Sequence, residues 1–265
     1  MVHSLLSALP EGYPFKEHIH CFETIDSTNL QAKTMGQQGA PHGTALIART
    51  QTAGRGRLGR SFHSPDGQGI YLSMVLRPQC HATELMHLTC AAGIAVCDAI
   101  EAVTGLRPGI KWTNDLVFCK RKLGGILTEL SLDKSGNVNF AVVGIGINCT
   151  QKIADFPEDI QNIATSLSES TKIEISVPQV AAAILSSLAA MSDRLLSHRE
   201  LLLEQYRRDC VTLGNEISVV TPTSVRHGIA VDIDGDGALV VDFPDGHREA
   251  VSSGEVSIRG MYGYL

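Results

Sequence analysis

Gly54-Arg55-Gly56-Arg57-Leu58-Gly59 matches G-x-G-x-x-G and follows a predicted strand over 44–49, the setting of a dinucleotide-binding loop. Such a loop must run straight into a helix whose N-terminus holds a pyrophosphate. Here the chain continues as Arg60-Ser61-Phe62-His63-Ser64-Pro65-Asp66-Gly67, which has no helical pattern, so the doubly wound parallel fold is set aside. What remains is a flexible loop carrying Arg55, Arg57 and Arg60, with glycines that let its backbone approach a ligand closely. Phosphate or carboxylate would suit it; a solvated basic turn has the same composition.

Working outward, a strand over 20–24 leads to Asp26 and Ser27, either able to cap a helix over 28–35 that Gly36 ends. Ile70, Leu72, Met74 and Leu76 alternate as in a strand. Leu85, Leu88, Ala92, Val96 and Ala99 repeat with helical period over 82–103, and Gly105 stops that helix. Strands over 110–118, 125–130 and 138–147 follow, the last two joined by a hairpin turn at 133–137. A long Ala- and Leu-rich helix over 178–209 marks a boundary. Beyond Leu213, short strands punctuated by Asp236-Gly237 and Asp245-Gly246 read as a small all-β barrel. The fold class is therefore α+β: a mixed, mainly antiparallel sheet with helices on one side, in a domain spanning 1–212, followed by a β-barrel domain at 213–265. The opening stretch to Tyr13-Pro14 reads as a surface arm, with folded structure starting near His18.

The whole chain narrows the function further. Its 265 residues allow a sizeable core without disulfide staples, and seven cysteines with no C-x-x-C pair point to free thiols in a reducing, cytoplasmic setting. A net charge of −6 disfavours broad attraction to nucleic acid. No apolar run is expected to approach the ~20 residues that cross a bilayer, so no membrane role is expected. Any anion site must be local.

Asp232-Ile233-Asp234-Gly235-Asp236-Gly237 imitates the start of a calcium loop, but the twelfth position is Phe243, and turn formation explains the aspartates better. Lys111-Trp112-Thr113-Asn114-Asp115 gathers a lysine, an amide and a carboxylate at the end of an apolar strand. Asp115 could hold Mg²⁺ there, or the segment could be a plain Asx turn. Lys122 precedes Leu123-Gly124-Gly125-Ile126-Leu127, where glycines free the backbone beside a positive charge, and Gly144-Ile145-Gly146-Ile147-Asn148 ends a buried strand with small residues.

In order, Asp26-Ser27-Thr28-Asn29, the run from Gln51 to Arg60, Lys111-Trp112-Thr113-Asn114-Asp115, Lys122 to Leu127 and Gly144 to Asn148 closely resemble the biotin–protein ligases. The resemblance extends to Gly254-Glu255-Val256-Ser257-Ile258-Arg259 and implies an α+β catalytic domain followed by a barrel of the Src-homology-3 kind. It implies an enzyme that uses ATP, with Mg²⁺, to make biotinyl-adenylate and passes biotin to a lysine of a biotin carboxyl carrier protein. Ser27, Thr28, Asn29, Gln51, Gly54, Arg55, Gly56 and Gly124 would then hold biotin, together with Arg57 and Lys122. Arg57, Arg60, Phe62, Lys111, Asn114, Asn148 and Arg259 would meet ATP or the adenylate. Lys122, Arg57 and Asp115 would be catalytic, with Asp115 placing Mg²⁺ or the acceptor lysine.

Phe62 stands where the family usually has tryptophan, and Thr113 where proline is common; the first change removes stacking area over a ring. Ser27 falls too early to leave space for the winged helix that makes some members repressors, so a ligase-only chain, monomer or homodimer, without nucleic acid, is expected. The rival enzyme is a lipoate–protein ligase, against which the Gly-Arg-Gly-Arg loop argues. A biotin-binding module without catalysis would have no use for Lys122 and Arg57.

Overall fold

The computed structural model describes residues 2–221, 224–252, 255–258 and 261. The first domain is built on a seven-stranded sheet in the order β1-β2-β3-β7-β6-β5-β4. Its strands are β1 Ile19–Ile25, β2 Thr44–Gln51, β3 Gly69–Leu76, β4 Gly109–Lys111, β5 Asp115–Phe118, β6 Arg121–Leu132 and β7 Val138–Asn148. β1 and β2 are parallel, with helix α2 (Thr28–Gln37) between them in the chain. The remaining neighbours are antiparallel, which is the mixed sheet expected.

Every residue of β3 is buried, so its alternation separates two cores rather than core from solvent. Ile70, Leu72, Met74 and Leu76 join the large core with α3 (Leu88–Thr104), α5 (Val177–Arg194) and α6 (Arg199–Asp209). Val75 joins Leu46, Phe140, Val142 and Ala32 in a smaller core on the other face, under α2. The helices expected on one side are there, and α2 covers the second face. A short helix, α4 (Leu167–Thr171), follows the loop after β7.

The structure changes several expectations in detail. The opening is not a surface arm: residues Val2–Ala8 form α1, which packs on α5 and buries Leu5, Leu9 and Tyr13 nearby. Gly36 does not end α2 but lies inside it, where the absence of a side chain lets the helix approach the Phe140 ring: a Cβ there would sit 2.7 Å from it. The strand expected over 110–118 is two strands separated by a turn, with a cis Trp112–Thr113 peptide bond. The long helix over 178–209 breaks after Arg194, and the one over 82–103 is a 3-10 turn, Ala82–Leu85, followed by α3. By length and composition alone, Ala82–Thr104 is long and apolar enough to cross a bilayer, contrary to expectation; 67% of its 18-residue apolar window is buried inside the protein, the mark of a core helix.

The C-terminal domain is a five-stranded antiparallel sheet, β11-β10-β9-β8-β12, from β8 Glu216–Val220, β9 Val225–Ile233, β10 Leu239–Asp242, β11 Arg248–Val251 and β12 Glu255–Ile258. The calcium-like run is a turn: Asp234 Oδ1 accepts from the amides of Asp236 and Ala238 at 2.8 and 2.9 Å, and Gly237 takes φ +83°.

Candidate functional site

The site begins where β1 meets α2. Ser27 takes extended backbone as the N-cap, which turns the first residues of the helix toward the sheet and buries Ser27, Thr28 and Asn29. Buried polar groups need partners, and these have them. The amide and the hydroxyl of Thr28 donate to Gln51 Oε1 at 2.8 and 3.0 Å. Gln51 Nε2 in turn donates to Ser64 Oγ at 3.0 Å, and that hydroxyl donates to the Phe62 carbonyl at 2.9 Å. Ser73 Oγ lies 2.9 Å from Thr28 Oγ1 and 2.8 Å from Asn29 Oδ1, while Asn29 Nδ2 donates to Glu129 Oε2 at 2.9 Å. Glu129 accepts only, so it fixes which way the Asn29 amide faces.

The arginine loop is a compact hairpin. Gly56 N donates to Arg60 O at 2.7 Å and Phe62 N to Gly54 O at 2.9 Å, which brings Arg55 and Ser61 opposite one another. At the tip Leu58 takes φ +55° and is 73% exposed, a left-handed backbone rare for leucine. Arg55 reaches Glu129 at 3.4 Å, and Arg57 Nη1 donates to Asn114 Oδ1 at 2.9 Å. Asn114 is held by β6, through its Nδ2 to Ile126 O at 3.1 Å and its carbonyl from Ile126 N at 2.9 Å. Beside it Lys122 Nζ lies 2.7 Å from Asp115 Oδ1.

One cavity joins these parts. Ser27, Thr28, Asn29 and Gln51 line it, as do Arg55, Gly56, Arg57, Arg60, Phe62, Lys111, Trp112, Asn114, Asp115 and Lys122. The hydroxyls and amides with settled partners are distinct from the pairs that centre on Arg57 and Lys122. The glycines of β7 make space: a Cβ at Gly144 would meet Asn29 Oδ1 at 2.0 Å, and one at Gly146 would meet the Phe62 ring at 2.8 Å.

Not every expected residue lines this cavity. Gly54 and Gly124 act behind it as spacers, since a Cβ would lie 2.5 Å from Phe62 O and 2.2 Å from Gly146 O respectively. Asn148 is buried at the end of β7, donating to Thr165 O at 3.0 Å and accepting from Gln151 at 3.4 Å. Arg259 and Gly254 lie outside the described residues. Sequence reasoning missed Ser73, Glu129 and the role of Trp112; a hydroxyl and a carboxylate inside otherwise apolar strands were the available signal. Among the described residues, no group of three His, Cys, Asp or Glu is placed to hold a metal ion.

Comparison with known proteins agrees with this geometry. Residues 21–148 match the Biotin/lipoate A/B protein ligase family, which defines the class: ligases acting on biotin or lipoate. Residues 212–259 match the Biotin protein ligase C terminal domain. The chain is 34% identical over 241 residues to the bifunctional ligase/repressor BirA of Bacillus spizizenii, covering 89% of this chain and 73% of that protein. To the biotin–[acetyl-CoA-carboxylase] ligase of Mycobacterium tuberculosis it is 34% identical over 239 residues, covering 87% and 85%. The solved biotin protein ligase from Aquifex aeolicus, in complex with biotin and ATP, superposes with a TM-score of 0.76 at 29% identity, over 91% of this chain and 98% of that one. The chain belongs to the biotin protein ligase family.

Proposed function

We propose that this protein activates biotin with ATP and transfers it to a lysine of a biotin carboxyl carrier protein, the reading its family membership supports. The observation that carries it is the single cavity joining the Thr28–Gln51 network to the Arg57–Asn114 and Lys122–Asp115 pairs.

Ser27, Thr28, Asn29 and Gln51 hold the ureido ring, with backbone near Arg55 and Gly56. A polar ring leaves water only where its donors and acceptors are matched. A carboxylate oxygen of biotin then attacks the α-phosphorus of ATP, and the bond to pyrophosphate breaks. The two anions repel until Arg57 and Lys122 bring positive charge to both. Phe62 and Lys111 border the adenylate, and Arg60 adds charge at the rim. Mg²⁺ prefers phosphate oxygens with one or two carboxylates. Asp115, now paired with Lys122, is the carboxylate in this group that would help to hold Mg²⁺ brought in with ATP, and the ion would supply positive charge to the phosphates. In the second step the acceptor amine attacks the acyl carbon, AMP leaves, and Asp115 steadies the incoming lysine. We place the domain boundary at 212/213, supported by the pairing of Cys210 with Ile110 and of Val211 N with the Ile110 carbonyl at 2.9 Å. The seven free thiols support a reducing, cytoplasmic setting, and the net charge of −6 supports action without nucleic acid.

The test is incubation with ATP, Mg²⁺, an acceptor domain and either biotin or lipoate, reading pyrophosphate release and acid-stable label. Label from biotin is expected; label from lipoate alone, or none, would sink the assignment.

A further inference from the structure

We infer that the β9–β10 turn, residues 234–238 of the C-terminal domain, is a positioning element for the catalytic cavity, acting through the hydrogen bond from the Trp112 indole to the Gly237 carbonyl. Trp112 is buried and lines the cavity, and its ring needs an acceptor for Nε1–H wherever it sits. That acceptor is Gly237 O, at 2.9 Å. The other donor of the same residue, its backbone amide, goes to Thr212 Oγ1 at 2.8 Å, and the next carbonyl, of Thr113, accepts from the Tyr206 hydroxyl at 3.0 Å. The wall that faces the ligand on one side is therefore held from behind by the last quarter of the chain.

The turn is built to stay in place. Asp234 Oδ1 closes it internally through the amides of Asp236 and Ala238. From outside, Arg199 of α6 donates to Gly235 O at 2.6 Å and pairs with Asp236, and Arg207 donates to Ile233 O at 2.9 Å. Gly237 takes φ +83°, a backbone that favours glycine, and a Cβ there would lie 2.9 Å from Cys90 Sγ, so glycine lets this carbonyl approach α3 without strain. Directly after Trp112 and Thr113 come Asn114 and Asp115, the partners of Arg57 and Lys122. A displaced indole shifts the start of that segment, and the displacement originates in a domain of which, among the described residues, Val256 lines the cavity.

Trp112 is the only tryptophan in the chain, so its fluorescence reads this contact directly. In Asp234→Ala, which opens the turn, the Trp112 emission is expected to shift to the red and become more accessible to acrylamide. The kcat/KM for biotin in ATP–pyrophosphate exchange should fall about fivefold, the order of one hydrogen bond. Arg199→Ala, which releases the turn from outside, should move both readouts the same way, and it carries the test if Asp234→Ala fails to fold. In the W112F background, where the ring has no donor, Asp234→Ala should change kcat/KM less than twofold. Unchanged emission in both turn variants, or an equal fivefold loss in the W112F background, overturns the inference. The kinetic arm rests on the proposed biotin chemistry and the emission arm does not. No biotin-dependent exchange by the unaltered protein would count against that chemistry, and exchange with unmoved emission in the variants counts against the turn alone.

Discussion

At the scale of single residues, Arg57 and Lys122 are separable because they answer to different partners. Arg57 reaches in from the loop to Asn114, whereas Lys122 rises from β6 beside Asp115. If Lys122 bridges carboxylate and α-phosphate in the transition state, Lys122→Ala should slow adenylate formation by on the order of 10²–10³, as loss of an oxyanion donor does. Arg57→Gly should instead loosen the finished intermediate. One charge-assisted hydrogen bond to phosphate is worth about 1.5–3 kcal/mol, so escape should be roughly ten- to hundredfold faster while the ring stays held. A mixed anhydride that escapes acylates whatever amine it meets. Pyrophosphate release and biotin on a bystander protein, measured for both variants, separate the two: Arg57→Gly should keep the first and raise the second. Bystander label no higher than with the unaltered protein would refute the retention role. Charged residues of this kind were legible in the sequence because their motifs place them. Ser73 and Glu129 were not, because their contribution depends on facing Asn29 across a long loop of chain.

Elements were legible where periodicity is strong and lost where a distant group decides an end. Nothing in 178–209 marks a break, since the segment between α5 and α6 has neither glycine nor proline. The break is decided across the fold: His87 Nε2 donates to Leu195 O at 2.8 Å and takes up a carbonyl that a continuing helix would have used. His87 is buried, and that burial, opposed by its bond to Leu195 and the nearby Asp236, holds its pKa below the usual histidine value. A lowered pKa means that the unfolded chain takes up the proton first. Stability should be full above the unfolded value of about 6.5 and should decline as pH falls below it toward the folded value. Melting temperatures between about pH 7.5 and 5.5 should show this slope. His87→Gln, which keeps a donor for Leu195 without titrating, should flatten it; an unchanged slope would assign the acid sensitivity elsewhere. The opening helix was missed for a different reason: Pro10, Gly12 and Pro14 crowd behind it, and they masked the helical spacing of Leu5 and Leu9.

On the scale of the whole molecule, the two-part organisation was legible from the change of pattern after Leu213, and its consequence was not. A small barrel joined to a larger domain reads as an appendage until the β9–β10 turn is seen against Trp112. The other end of the chain is tied in as firmly. Leu5 is 1% exposed in the main core, and Leu5→Ala should cost about 2–4 kcal/mol, as such deletions do when the site collapses only partly. Urea unfolding would show it as a lower midpoint with unchanged slope, and a loss below about 1 kcal/mol would mean α1 is only loosely attached.

That attachment has a temporal side. A ribosome delivers a chain from its N-terminal side at about 5–20 residues per second, and the surface on which α1 rests belongs to α5, Val177–Arg194. α1 thus emerges long before the helix that seats it. For roughly ten seconds or more at those rates its apolar face must wait, exposed to chaperones and to neighbouring nascent chains, until α5 has followed it out of the ribosome.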